Sequence, residues 1–261
     1  MRVLVVTAVA AERDAVVRGA AGDAYGDTAA EPLEIPLPGF ALLRPVPVAP
    51  GAFPPVVDVL AAGVGPAAAA AGAATALVAA ELAGSPYGLV VSAGIGGGFV
   101  GAGRGVEGAP VGSLVVSDAI VAADLGAETP EGFLPVTDLG FGTVAHHPPE
   151  PLVRAVAEAT GARRGTVLTV STVTGSATRA AELAARHPAA LAEAMEGFGV
   201  AEAAAAHGVP ALELRAVSNP VGPRDRAAWR IGDALTALTG AFRAVSPALA
   251  AYAAEKAEAG S

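Results

Sequence analysis

The chain contains no cysteine. That removes a disulfide framework, a thiol nucleophile and a thiolate metal site together. Its four histidines, His146, His147, His187 and His207, match no zinc spacing, and His146-His147 precede two prolines in what reads as a surface loop. Positive charge is scarce: 16 Lys and Arg stand against 25 Asp and Glu, for a net charge of −9. The densest basic run is "RDRAAWR", Arg224 to Arg230, too short to make a nucleic-acid surface, so nucleic acid is not expected as a partner. No segment carries about 18 apolar residues free of glycine, proline or charge, so no membrane span is expected. The opening "MRVLVVTAVAAERD" lacks the long apolar run and small-residue cleavage site of a signal peptide. These absences lead to the expectation of a soluble cytoplasmic protein with no metal and no cofactor.

Aromatic residues are also few, at 4%, while hydrophobic residues reach 53%. The core must therefore be built from Val, Leu, Ile and Ala, which suits a parallel sheet covered by helices on both faces. At 261 residues the chain fits one α/β domain spanning 1–261.

Strand and helix signals alternate along the chain. "RVLVVTA", "VVDVLAAGVG", "YGLVVSAG", "SLVVSDAIVAAD" and "GTVLTVST" read as strands. In "VPALELRAVSN", Leu212, Leu214 and Ala216 alternate with Glu213 and Arg215, again a strand. "PAAAAAGAATALVAAELAG" and "PEPLVRAVAEATG" read as helices opened by proline, where the missing N–H costs nothing. "SATRAAELAARH" and "RDRAAWRIGDALTALTGAFRAV" are further helices. Residues 22–55, rich in proline and glycine, read as loops with a hairpin.

Two glycine loops follow strands and raise the question of a dinucleotide site. "GVGPAA" (Gly63 to Ala68) opens a helix, but the next strand ends in Ser92-Ala93 with no acid for a ribose. "AGIGGG" (Ala93 to Gly98) has a suitably spaced Asp118, but the glycines and Pro110 beyond it leave no room for the helix. Each supplies half of the motif. The remaining readings are tight strand-to-helix packing, or two loops lining one pocket at the carboxyl edge of a sheet.

The segments "VVTAVAAERDAV", "AAGVGPAAAAAGAAT", "VVSAGIGGGF", "VGSLVVSDAI", "AMEGFGVAEAAAAHGVP" and "RAVSN" occur in an order and spacing that resemble the nucleoside phosphorylase superfamily, and its hydrolytic members in particular. The closing "VSNPVGPRDRAAWRIGDAL" is similar to a branch that releases hypoxanthine from its substrate. The match is poorest over residues 22–55 and 99–110. The resemblance implies a mixed, twisted central sheet flanked by helices, a small nucleoside as partner, a homo-oligomer, and cleavage of an N-glycosidic bond. It also implies a strand ahead of Met195-Glu196, where pattern alone gives one helix over Ala189 to Ala206.

Under that resemblance Glu12 is the carboxylate that activates water; read alone, it is an acid complementing the dipole of a helix N-terminus. Glu196 would accept hydrogen bonds from ribose hydroxyls and favour positive charge on the ring, with Met195 packing on the sugar; read alone, it is a solvated helix residue. Asn219 stands where adenine-cleaving relatives carry aspartate. An amide donates to one purine acceptor and accepts from a ring N–H, which suits a 6-oxopurine; the plain alternative is a turn residue before Pro220. Ile95 stands where relatives often have a hydroxyl residue, in a loop that meets phosphate or sugar, and the resemblance implies that both Ile95 and Gly94 touch the substrate. With Arg13 and Arg104 poorly placed as phosphate clamps, water is favoured as nucleophile. Val173 is expected against the purine. Trp229, the only tryptophan, reads on helix periodicity as a core residue and under the resemblance as a wall for a bulky 5′ group. A methylthioadenosine nucleosidase, a purine nucleoside phosphorylase and a non-catalytic nucleoside-binding protein remain as alternatives.

Overall fold

A computed structural model describes residues 2–22, 31–46, 56–100 and 108–259. The apolar runs become a ten-stranded mixed sheet. Its parallel centre comprises β1 (Arg2–Thr7), β4 (Val56–Ala61), β5 (Leu89–Gly98) and β12 (Ala211–Pro220). The hairpin expected within 22–55 is present as β2 (Leu33–Leu37) and β3 (Phe40–Arg44), which extend the sheet beyond β4. Beyond β12 come β6 (Leu114–Ala122), β10 (Arg163–Thr169) and β11 (Ala190–Ala194). β11 also pairs antiparallel with the far end of β5, so five strands close into a ring.

Helices cover both faces, as the Val/Ala composition demands. α1 (Ala10–Ala20), α3 (Glu150–Thr160) and α6 (Ile231–Ala259) share one apolar cluster with the central strands. α2 (Pro66–Leu82) and α5 (Gly197–Ala206) share another on the opposite face. α4 (Ala177–Arg186) buries Leu183 against the ring. Small residues let these helices sit close: α2 buries Ala69, Gly72, Ala73, Ala76 and Ala80. Among the described residues no helix is long and apolar enough to cross a membrane.

Several expectations need correction. "AGIGGG" is not a loop but the second half of β5, and its bare backbone lies between β12 and β11 where the ring closes. Glycine inside a strand commonly marks such an approach. The last helix begins at Ile231, so Trp229 lies ahead of it, after a 3-10 turn at Arg226–Ala228, and is half-buried rather than core. His146 is not a free loop residue. It belongs to the short strand β9 (Ala145–His146) paired with β6, and its Nε2 lies 2.8 Å from Glu202. A second hairpin, β7 (Gly126–Thr129) with β8 (Gly132–Pro135), had no clear sequence signal. The segment before Met195 is strand β11, as the resemblance implies. Arg104 lies outside the described residues.

Candidate active site

The carboxyl ends of β1, β5 and β12, together with β11, border a cavity of about 510 Å³, within the usual range for a small-molecule site. Glu12, Ile95, Val173, Met195, Glu196, Asn219 and Trp229 all line it. Gly94 does not. It sits behind the wall, where a methyl group would lie 2.6 Å from Glu12 Oε1 and 2.7 Å from Arg215 Nη1. Its role is to leave room for those two side chains, and the expectation that it touches substrate is corrected.

Glu12 stands in the first turn of α1, immediately after β1. Backbone N–H groups cradle it: Ala8 (3.0 Å) and Val9 (3.3 Å) donate to Oε2, and Ile95 (2.9 Å) donates to Oε1. An ionised carboxylate has about four acceptor positions, so capacity for one more bond remains on a residue that lines the cavity. Burial pushes the Glu12 carboxyl up, and the Arg215 charge and the Ile95 N–H only partly offset it.

Glu196 lies two residues beyond β11 and stands at the N-cap position of α5. Its Oε1 accepts from Gly65 N (3.2 Å) and its Oε2 from Met195 N (3.3 Å). The "GVGPAA" loop therefore reaches the site through Gly65, and "AGIGGG" reaches it through Ile95, Gly96 and Gly97. Of the readings open for these glycine runs, the shared pocket is the one observed.

Beneath both glutamates lies a buried ionic cluster that sequence reasoning missed. Arg215 is 1% exposed and Glu213 0%. Arg215 Nε donates to Glu213 Oε1 at 2.8 Å, Nη2 donates to Ser92 Oγ at 2.9 Å, and Nη1 lies 3.2 Å from Glu196 Oε2. Glu213 Oε2 is buried with no hydrogen-bond partner, directly against Gly197, where any side chain would collide with it. Burial raises the Glu213 carboxyl, with Arg215 pulling the other way. Burial alone would lower the Arg215 guanidinium, but Glu213, Glu196 and Glu12 outweigh it and hold it charged. Charged and apolar residues alternate along β12, as the strand reading noted, and both of its faces are covered, so the charged face is an internal one.

Glu193 is a further carboxylate in the cavity wall that went unnoticed. It accepts from Thr174 N at 2.8 Å and from the Thr174 hydroxyl, which fixes the Thr172–Thr174 turn and holds Val173 at the cavity. Asn219 Oδ1 accepts from Ser218 Oγ at 2.9 Å, and Nδ2 donates to the Pro220 carbonyl at 2.9 Å. One amide N–H and one lone pair stay available.

Comparison with known proteins places the chain in a family. The family model of the phosphorylase superfamily matches residues 55–252. A futalosine hydrolase from Streptomyces coelicolor is 66% identical over 97% of this chain and 98% of its own. Among solved structures, a futalosine hydrolase mutant of Helicobacter pylori shares the fold at a TM-score of 0.72 and 18% identity, covering 94% of this chain and 97% of that one. A 5′-methylthioadenosine/S-adenosylhomocysteine nucleosidase from Colwellia psychrerythraea, in complex with adenine, does so at 0.72 and 19%, covering 96% and 95%. By profile and by close sequence identity along nearly its whole length, the chain belongs to the phosphorylase superfamily and, within it, to the futalosine hydrolase family.

Proposed function

We propose that this chain is a cytoplasmic, homo-oligomeric N-glycosidase that hydrolyses futalosine with water, releasing hypoxanthine and dehypoxanthine futalosine in an alternative route to menaquinone. The observation that carries the reading is the convergence of Glu12, Glu196 and Asn219 on one cavity, in a chain 66% identical to a futalosine hydrolase.

Cleavage of a glycosidic bond develops oxocarbenium character on the sugar. Glu196 accepts hydrogen bonds from the ribose hydroxyls, and its negative charge, held in place by Gly65, Met195 and Arg215, favours the positive ring. Glu12 uses its remaining acceptor position to orient a water and take its proton. A raised proton affinity suits that task, because a general base works best with a pKa near the operating pH. Asn219 donates its spare N–H to a purine acceptor and accepts from a ring N–H, which stabilises the departing hypoxanthine without full proton transfer. Arg215 is not a phosphate clamp, since three of its nitrogens are already engaged by Glu213, Ser92 and Glu196. That supports water as the nucleophile.

Chromatographic analysis of products from futalosine, inosine and methylthioadenosine, each with and without phosphate, tests the reading. Hypoxanthine from futalosine without phosphate is the expected result. Phosphate-dependent cleavage would make the chain a phosphorylase, and adenine from methylthioadenosine at a higher rate would make it the related nucleosidase. Tight hypoxanthine binding with no turnover of any nucleoside would leave only a binding protein.

A further inference from the structure

Glu193 lines the cavity and is 4% exposed, yet it has no part in the chemistry above. Its bonds to the protein leave it incomplete. Oε1 accepts from Thr174 N at 2.8 Å, and Oε2 accepts from the Thr174 hydroxyl. An ionised carboxylate has about four acceptor positions, so capacity for further bonds remains. Among the described residues no cation pairs with it. The positive charge that acts on it, that of Arg179, is itself bonded to Glu182 at 2.7 Å. A buried carboxylate in that state gains from another N–H donor, and the cavity is where a ligand can bring one.

The register of the sheet sets Glu193 and Asn219 to either side of one glycine. Gly97 of β5 pairs with Glu193 of β11 on one flank and with Asn219 of β12 on the other. A bulge in β12 makes this so. Val217 pairs with Gly96 and Ser218 is passed over, so Asn219 rather than Ser218 stands opposite Gly97. Bulges of this kind re-aim side chains beside active sites. Residues paired in register share one face of a sheet, so the two polar side chains rise on the same side, two strand spacings or about 10 Å apart at the backbone. Gly97 lines the cavity between them and adds no side chain. A methyl group there would lie 3.3 Å from Asn219 Nδ2 and 3.0 Å from Val221 Cγ2. The outcome is a bare floor with a carboxylate at one edge and an amide at the other.

A flat heterocycle laid over Gly97 meets both edges. In a 6-oxopurine the six-ring nitrogen beside the oxo group carries hydrogen. In a 6-aminopurine the same nitrogen carries a lone pair, which an ionised carboxylate repels. We infer that Glu193 accepts a hydrogen bond from that ring N–H and so, together with Asn219, selects 6-oxopurines over 6-aminopurines. The inference rests on the nucleosidase reading above and deepens it. The ring N–H passes from the Asn219 oxygen, already shared with Ser218, to a charged and therefore stronger acceptor. Asn219 keeps the donor contact to the base.

The test measures binding of three free bases to the intact protein by titration calorimetry: hypoxanthine, adenine and 1-methylhypoxanthine. The wild type should bind hypoxanthine roughly tenfold to a hundredfold more tightly than adenine, the ratio that one mismatched buried polar contact supports. Glu193→Gln is isosteric and can turn its NH₂ to the lone pair of adenine, so it should cut that ratio by about tenfold or more. 1-Methylhypoxanthine lacks the N–H and tests the contact itself. The loss of affinity on methylation should be at least about tenfold greater in the wild type than in Glu193→Gln. A role confined to holding the Thr174 turn does not produce that difference. Wild-type protein that binds 1-methylhypoxanthine or adenine as tightly as hypoxanthine overturns the proposal without any variant. A hypoxanthine-to-adenine ratio that Glu193→Gln leaves unchanged overturns it too, and if futalosine is still cleaved the nucleosidase reading survives. The expected ratios with no cleavage of any nucleoside would sink that reading and leave Glu193 as the base contact.

Discussion

Two clusters of buried carboxylate lie in different parts of the sheet and are balanced in opposite ways. In one, Asp58 is fully buried on β4. It accepts from Arg2 (2.6 Å), from Arg44 (2.7 and 3.0 Å) and from the Tyr87 hydroxyl (2.8 Å). Burial would raise its carboxyl, but hydrogen bonds from Arg44, Arg2 and Tyr87 prevail and hold it below the ordinary carboxylate range. In the other the ratio is inverted: Glu12, Glu196 and Glu213 share the single Arg215. There burial prevails, and Glu12 and Glu213 are raised. The first cluster holds two strands and a hairpin together through four hydrogen bonds donated to one carboxylate. The second keeps acceptor capacity and proton affinity in reserve, as a site for proton transfer requires. Of the two, only the second borders the cavity.

The sharpest way to break this contrast is Glu12→Gln. The variant should fold and bind hypoxanthine, yet lose at least about a hundredfold in kcat with the loss of its general base; near-native turnover would remove Glu12 from that role. Next in size is Asp58→Asn in the other cluster. Leaving two arginines without their anion should reduce unfolding stability by about 3 kcal/mol, the low end for a broken buried pair because both arginines keep some solvent contact. Urea denaturation measures the loss, and kcat/KM should stay within about twofold of wild type, since Asp58 has no part in the site. A comparable fall in activity would mean that the two clusters are coupled.

Asn219→Asp tests base choice with a smaller expected change. The ratio of kcat/KM for futalosine to that for its 6-amino counterpart should move toward the amino compound by about tenfold or more, because an unpaired buried polar group costs about 1–3 kcal/mol. An unchanged ratio would leave Asn219 as the turn residue before Pro220. The smallest effect is the pH dependence of stability in Glu213→Gln. A carboxyl raised by folding adds most to stability below its unfolded value, ordinarily 4.5, and that contribution is lost as pH rises through the raised folded value. Glutamine imitates the protonated form. The stability of the variant relative to wild type should therefore increase with pH above 4.5 and level off on the acid side. The opposite slope would show that Arg215 holds Glu213 ionised more strongly than burial opposes it.

Much of the fold was legible because periodicity reports burial. The Val-rich strands, the helices opened by proline at Pro66 and Pro151, and the hairpin at Leu33–Arg44 follow from local pattern. The misses share a cause: a local signal was overruled by a distant contact. The glycines of β5 look like a loop until two neighbouring strands are seen to close on them. Glu213 and Arg215 look solvated until helices α5 and α6 are seen to cover both faces of β12. The candidate site was legible only through the resemblance. Glu12, Glu196 and Asn219 each had an ordinary local reading, and nothing near Glu12 in sequence points to residue 215. A charged pair at alternate positions within an otherwise apolar strand was the one available signal for the buried cluster.

The ring in the sheet has a consequence for how the protein behaves at high concentration. Because β11 bonds to both β10 and β5, the strands on that side leave no open edge along their main path. Among the described residues the long free edge of the sheet is β2, at the other end of the strand order. Unpaired strand edges are where chains add to one another and begin to aggregate. Here the edge is only five residues long, and it carries Pro36, which has no N–H to offer, and the exposed Glu34. Replacing both with β-branched residues would give the molecule a straight, uncharged strand open to pairing, and with it a route to polymerisation that the closed side of the sheet denies.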